Sequence, residues 1–334
     1  MSRLYVRNLQ LTGNATYTVS IPKDWVRNLG LGKGSRVYLE LMNDGSLRIY
    51  GNPPGRPSGA SKSFELWRGD DPDNLVRKII AAYLAGFSIV TLNFDPELKE
   101  LASEVRRSLE SSVLGFSVLK ESRSEFTFYT VIDEGSMRLS DALTKLRENA
   151  HHMLEDTYSG MSNADIRVLE RVIEEDQIVD KLYLLITKQV TSILMRPFGV
   201  EEHGLRSAAE MPHVFLAARS MERVSDHAVL MARESIDLIS SGEKVPVWLL
   251  DDFRTIIDLF ESSTRALSEL DELEAEEAAR RIDEVTKLIR RREPGNSRVQ
   301  MLLNSMERVL GYSMNIVEAV VDIVMIREFI ELSG

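Results

Sequence analysis

The chain has no cysteine in its 334 residues, which excludes a disulfide framework and any thiolate-bound metal. Histidine is scarce, at five residues, and no histidine, carboxylate and nucleophile share a spacing that would favour hydrolytic catalysis. Long hydrophobic runs are missing as well. The longest apolar stretch, Ile79 to Leu92, is interrupted by Gly86 and Ser88 and falls short of the roughly 20 residues a membrane helix needs. No basic-then-apolar leader precedes a small-residue cleavage site. The expectation is a cytoplasmic protein without membrane insertion, and a length prior of roughly 100 to 200 residues per domain predicts two or three domains. Its 43% hydrophobic and 28% charged residues are those of a globular chain.

The net charge of -11 is unevenly distributed. Residues 1–52 hold seven Lys or Arg against three Asp or Glu, a net of +4, and the rest holds 34 against 49, a net of -15. A basic module on an acidic body suits a nucleic-acid reader attached to a sensing or partner domain, because neutralised phosphates supply most non-specific affinity.

The basic segment reads as short strands over Leu4 to Leu11, Thr16 to Ile21, Arg36 to Met42 and Leu47 to Tyr50, with Tyr17, Val19 and Ile21 alternating. Gly13-Asn14 and Asn43-Asp44-Gly45 supply hairpin turns. Between the hairpins one short helix fits, with Pro22 in its first turn and Gly30 closing it. About fifty residues of this kind bury little surface, so a second copy is expected to complete the core.

The string LTGNATYTVSIPKDWVRNLGLGKGSRVYLELMNDGSLRIYG, residues 11–51, resembles the AbrB/MazE/SpoVT swapped-hairpin family. A strand ending Ile-Pro-Lys, a short helix ending Leu-Gly-Leu, then Lys-Gly-Ser and another strand carry the likeness. The resemblance implies two chains interleaving their hairpins into one β unit that presents basic loops to double-stranded DNA. Candidate DNA contacts are Arg7, Asn14, Thr16, Lys23 and Arg27. A dimerisation clasp without DNA binding is the alternative use of such a module.

Residues 51–63, GNPPGRPSGASKS, read as a linker. From Phe64 to Ile132 the pattern gives strand, helix (Pro72 to Ala85), strand (Phe87 to Asn93), helix (Pro96 to Leu109) and two strands, Gly115 to Leu119 and Glu125 to Ile132. This small α/β unit has no glycine-rich phosphate loop and is expected to be structural. From Leu139 onward helical periodicity dominates, broken near Ser159 to Asn163, Pro197 to His203, Ser240 to Pro246, Asp271 and Pro294 to Asn296. Six helices in two sets of three follow. The sets look like an internal repeat: Ser220-Met221-Glu222-Arg223-Val224 recurs as Ser305-Met306-Glu307-Arg308-Val309, and Asp237 and Asp322 share a register.

In the first set Asp176 and Asp180 stand four apart on one helix, and Glu222 and Asp226 four apart on another, so each pair projects from one face. Spacing alone is weak, since 52 acids in 334 residues give roughly eight such pairs by chance. The context is more specific. SMERVSDHA, residues 220–228, resembles the PhoU signature Leu-Glu-Arg-Ile-Gly-Asp-His-Ala, and IEEDQIVDKLY, residues 173–183, resembles its Asp-x-x-x-Asp partner. The resemblance extends over about 190 residues and implies two three-helix bundles with carboxylate metal clusters. Carried over residue by residue, it assigns Asp176, Asp180, Glu222 and Asp226 as ligands of a divalent or trivalent cation such as iron, zinc, magnesium or manganese. The second set departs from the pattern, with Gly311 four after Glu307 and Ala279 four before Asp283, so one competent site is expected. Glu148-x-x-His151 and Glu210-x-x-His213 also match ferritin-like di-iron spacing, although Pro212 interrupts the second.

The fold expected is therefore multidomain: an AbrB-like swapped-hairpin β domain at 1–52, a linker at 53–63, a small α/β domain at 64–135, and a PhoU-like all-α pair of three-helix bundles at 136–242 and 243–334. The resemblances imply a dimeric or larger DNA-binding transcriptional or signalling regulator of phosphate uptake, without catalysis. Its alternatives are a PhoU-type accessory protein acting on a phosphate transporter ATPase or signalling partner without DNA binding, and a di-iron enzyme.

Overall fold

The computed structural model describes residues 4–13, 15–41, 45–51, 60–130, 137–195 and 200–333. The chain divides into two compact units, Met1–Pro57 and Ser58–Ser333.

The first unit holds two separate hairpins. Strands β1 (Gln10–Thr12) and β2 (Thr16–Thr18) pair antiparallel, with Gly13 at φ 69° supplying the turn. Strands β3 (Tyr38–Leu41) and β4 (Leu47–Tyr50) form the other hairpin, with Gly45 at φ 76°. Helix α1 (Lys23–Asn28) lies between them; Pro22 sits at its N-cap, one position earlier than expected, and Gly30 at φ 64° ends it. Residues 4–9 and 19–21, expected as strand, are not paired; the β1–β2 ladder ends at Gln10 and Thr18. Asn43 and Asp44 of the second turn lie outside the described residues.

No described residue of this unit is buried. Leu11, Tyr17, Leu39 and Leu41 are 58, 70, 63 and 78% exposed, so the alternating apolar residues have no core of their own. A lone two-stranded hairpin is marginal in water, and apolar faces this open call for a covering partner.

The second unit begins with strand β5 (Ser61–Leu66), three residues before the strand expected at Phe64, so the linker is shorter than its composition suggested. Helix α2 (Pro72–Leu84), β6 (Ile89–Phe94), a turn of 3-10 helix at Pro96–Leu98, α3 (Lys99–Ser112), β7 (Phe116–Glu121) and β8 (Glu125–Thr130) follow. The sheet order is β5-β6-β8-β7, with β5 and β6 parallel and the other pairs antiparallel. Asp71 caps α2 through the Asp73 amide, and Pro72 occupies the first turn, where no N–H is needed. One face of the sheet, with Val90, Leu92, Phe94, Phe126 and Phe128, packs on Ile79, Ala102, Val105 and Leu109 of the two helices.

Six long helices complete the unit: α4 (Leu139–Asn163), α5 (Ile166–Met195), α6 (Met211–Ser240), α7 (Val247–Glu269), α8 (Glu272–Ile289) and α9 (Ser297–Ser333). Local chemistry sets their ends. Ala164 and Leu270 take left-handed φ values of 53° and 52° after α4 and α7, and Asp271 caps α8 through the Glu274 amide at 3.0 Å. A capping box of Ser207 and Glu210 precedes α6. α4, α5 and α6 pack on one another, as do α7, α8 and α9; α6 against α9 and α4 against α7 join the two sets into one core. The sheet domain docks on α5, where Leu184 joins its core and the Lys188 ammonium lies 4.3 Å from the Tyr83 ring centre.

α9 corrects one reading of the sequence. Among the described residues it is the helix long and apolar enough to cross a membrane by length and composition, although the apolar stretch noted in the sequence was Ile79 to Leu92. Its Leu302, Met306, Val309, Leu310, Ile316 and Ala319 are buried in the helical core, which accounts for that composition.

Packing also supports the internal repeat. Ser220 and Ser305 stand 85 residues apart, and the same offset carries His213 to Arg298, His227 to Tyr312 and Asp237 to Asp322. His213 Nδ1 lies 2.9 Å from Asp322, and Arg298 Nη1 3.0 Å from Asp237. The two polar contacts are thus reciprocal across the α6/α9 contact, as in a two-fold arrangement. The rings of His227 and Tyr312, 5.8 Å apart, are each other's counterparts.

Candidate functional site

One turn of α5 separates Asp176 from Asp180, and one turn of α6 separates Glu222 from Asp226; these two helices pack together. Glu222 is buried, Asp176 and Asp226 are half-buried, and Asp180 is exposed. Burial pushes the Glu222 carboxyl up to about 7, and the charges of Asp226 and Asp180 add to it against Arg223 and Arg219. Burial likewise raises Asp176 to about 6, with further repulsion from Asp180 and Asp226. Asp180, open to solvent on one side, is raised by partial desolvation against the helices and by Asp226. The four carboxylates therefore share one electrostatic neighbourhood.

Two of their oxygens, Asp176 Oδ1 and Glu222 Oε2, are buried without a hydrogen-bond partner. A cation satisfies such oxygens, and the donor set is all oxygen, as hard cations require. Arg223 competes with it: its Nη1 donates to Asp226 Oδ2 at 2.5 Å, and its Nε lies 3.4 Å from Glu222 Oε2. The four carboxylates are not drawn to within 4.8 Å of one another. Among the described residues the group that is so close is Glu269, Asp271 and Glu274 at the α7/α8 junction. There Asp271 caps α8 and Arg265 binds Glu274, so helix-end chemistry accounts for the cluster. His227, beside Asp226, is held below the ordinary histidine range by burial, and its Nδ1 has no partner.

In the second set Glu307 is held by Arg290 at 2.7 Å and Asp283 is exposed. A Cβ on Gly311 would meet nothing within 4 Å.

The di-iron pattern is not assembled. Glu210 is fully buried but accepts from the Arg206 and Ser207 amides at 2.8 and 3.0 Å and from Arg327 at 2.8 Å, while His213 faces Asp322. Glu148 is exposed, and His151 lies 3.8 Å from Glu155, itself bound by Arg254. These side chains serve helix capping and packing, a use their i, i+3 spacing cannot reveal.

In the first unit Lys23 and Arg27 are exposed one turn apart on α1. Thr16 opens β2 opposite Thr12. Arg7 is exposed, donates to the Val6 carbonyl at 2.9 Å and lies 5.6 Å from the Tyr5 ring centre. Asn14 lies outside the described residues. Sequence reasoning missed the bond from Arg219 to the Tyr183 hydroxyl at 2.9 Å and the groove beside Gly311; neither leaves a mark in residue spacing.

The chain thus joins a basic β-hairpin unit without a buried residue among those described to a helical body that groups four carboxylates. The comparisons give it a family context. Residues 143–235 match the PhoU domain, and residues 10–59 match MazE, described as an antidote-toxin recognition bacterial antitoxin. The chain therefore carries a PhoU domain and a MazE/AbrB-like domain. Similar solved structures include PhoU from Pseudomonas aeruginosa, at 20% identity and TM-score 0.49, covering 56% of this chain and 95% of that one. The phosphate transport system regulatory protein PhoU from Streptococcus pneumoniae is similar at 15% identity and TM-score 0.46, covering 55% and 91%. Comparison with curated proteins gives no match.

Proposed function

We propose that this protein is a cytoplasmic DNA-binding regulator of phosphate uptake in which the helical region binds a metal ion and the N-terminal unit binds DNA as a dimer. The observation that carries the reading is the joining of a PhoU domain, which spans all four candidate ligands, to a MazE-like domain in the same chain. The uncovered apolar residues of the first unit support pairing with a second copy by exchange of hairpins. On that dimer the exposed Lys23 and Arg27 of each α1, with Arg7 and Thr16, contact the phosphate backbone, and Asn14 stays a candidate contact outside the described residues.

At the helical site Asp176, Asp180, Glu222 and Asp226 would hold the cation, which would give the buried oxygens Asp176 Oδ1 and Glu222 Oε2 the partner they lack. Arg223, which holds Asp226 and lies beside Glu222, is the group a cation would have to displace. When bound, the cation would supply charge neutralisation for these carboxylates.

The test is binding of the full chain to genomic DNA fragments across a salt series. Sequence-selective binding that weakens steeply with salt supports the reading. Its absence, with retained binding to phosphate transporter components, would instead make the protein an accessory factor whose β unit only dimerises.

A further inference from the structure

The internal repeat allows the second helix set to be compared with the first position by position. On α9 the offset of 85 carries Arg219, Glu222, Arg223 and Asp226 onto Asn304, Glu307, Arg308 and Gly311. On α8 an offset of 103 carries Asp176, Tyr183 and Thr187 onto Ala279, Thr286 and Arg290. In the first set Arg219 and Tyr183 are bonded to each other beside the carboxylates. In the second, both are replaced by shorter polar residues, a glycine stands in place of Asp226, and a groove of about 660 Å³ opens between α6, α8 and α9.

The groove's chemistry differs from that of the first site. Arg290, Arg308, His227, Thr286 and Ser305 line it with hydrogen-bond donors. Arg308 has no ion pair among the described residues, while Arg290 neutralises Glu307. Leu230 and Met301, 48 and 51% exposed, give the same groove an apolar part. Glu234 is its other carboxylate, an acceptor for a hydroxyl or amine.

We propose that this groove is a ligand site for a nucleoside phosphate. Guanidinium forks match phosphate oxygens and hold them with charge-assisted hydrogen bonds. Apolar side chains, a methionine among them, suit the flat face of a base. The volume lies within the range of roughly 300 to 1,000 Å³ seen for small-molecule sites. Loss of the acid at Gly311 removes the repulsion that Asp226 would exert on a phosphate in the matching place. The proposal depends on neither the metal nor the DNA reading.

The experiment is calorimetric titration of the full chain with ATP, in EDTA and without divalent cations, so that cation-mediated binding at the first set contributes nothing. Saturable binding is expected, weakened roughly tenfold or more by Arg308→Gln, which removes one charge-assisted contact. Gly311→Asp is expected to abolish it, whereas Gly311→Ala, which adds a methyl group to open space, is expected to retain it. Thermal melts of each variant verify folding. Tripolyphosphate is expected to bind more weakly than ATP. Failure of ATP to bind, binding untouched by Arg308→Gln and Gly311→Asp, or equal binding of tripolyphosphate overturns the proposal.

Discussion

Replacing Glu222 with glutamine is expected to stabilise the metal-free protein at pH 8 and to change little at pH 4. Glu222 is 8% exposed, its Oε2 lacks a hydrogen-bond partner, and its carboxyl is raised from 4.5 to about 7. Because the folded value lies above the unfolded one, the native state holds more protons between those limits. The stability this contributes is complete below about pH 4.5 and is lost as pH rises through about 7. At about 1.4 kcal/mol per pH unit, a displacement of roughly two and a half units is worth about 3 kcal/mol. Arg223 at 3.4 Å offsets part of it and the repulsion is shared with Asp226 and Asp180, so about 2 kcal/mol is the expected gain from the neutral side chain. For units of 150 to 250 residues that corresponds to a Tm rise of roughly 4 to 8 °C. Melting followed by circular dichroism in EDTA at pH 4.5, 6 and 8 measures it. A rise of equal size at all three pH values, or none at pH 8, would refute the assignment of Glu222 as a buried, charge-strained carboxylate. Manganese added at pH 8 is expected to raise the wild-type Tm by mass action and to raise that of Glu222→Gln less.

Metal analysis after dialysis is expected to show bound cation in wild type and in Glu307→Ala/Asp283→Ala, and its loss in Asp180→Ala/Asp226→Ala; the reverse pattern would place the competent site in the second set. Light scattering of the full chain at micromolar concentration is expected to give at least a dimer mass, and a monomer would contradict the need to cover Leu39 and Leu41. Changing Arg7, Lys23 and Arg27 to alanine is expected to lower the log-log salt slope of DNA binding by about 0.9 for each phosphate contact removed, so an unchanged slope places the DNA surface elsewhere. Glu210→Ala leaves Arg327 and two amides without their acceptor and is expected to cost about 3 kcal/mol, read by urea denaturation.

Most helices and the strands of the second unit were legible in the sequence, because their signals are local. Pro22, Gly30, Asp71 and Asp271 act within a turn of the helices they bound, and alternation within β6 and β8 selects their buried face. The repeat was legible because identical residues recur at one offset, whereas the grouping of Asp176 and Asp180 with Glu222 and Asp226 came from the resemblance to the PhoU signature. What spacing could not supply was which side chains meet across helices. Glu210 and His213 fit a ligand pattern on paper, yet Arg327 and Asp322, more than 100 residues away, take them for packing. The same holds for Arg223, whose reach to Asp226 decides how open the carboxylate site stands. The apolar length of α9 marks a core helix because α6, α7 and α8 pack against it, and Gly311 lines a groove because α6 and α8 flank it. Such outcomes rest on contacts between residues far apart in the chain, where burial and charge depend on every neighbour at once.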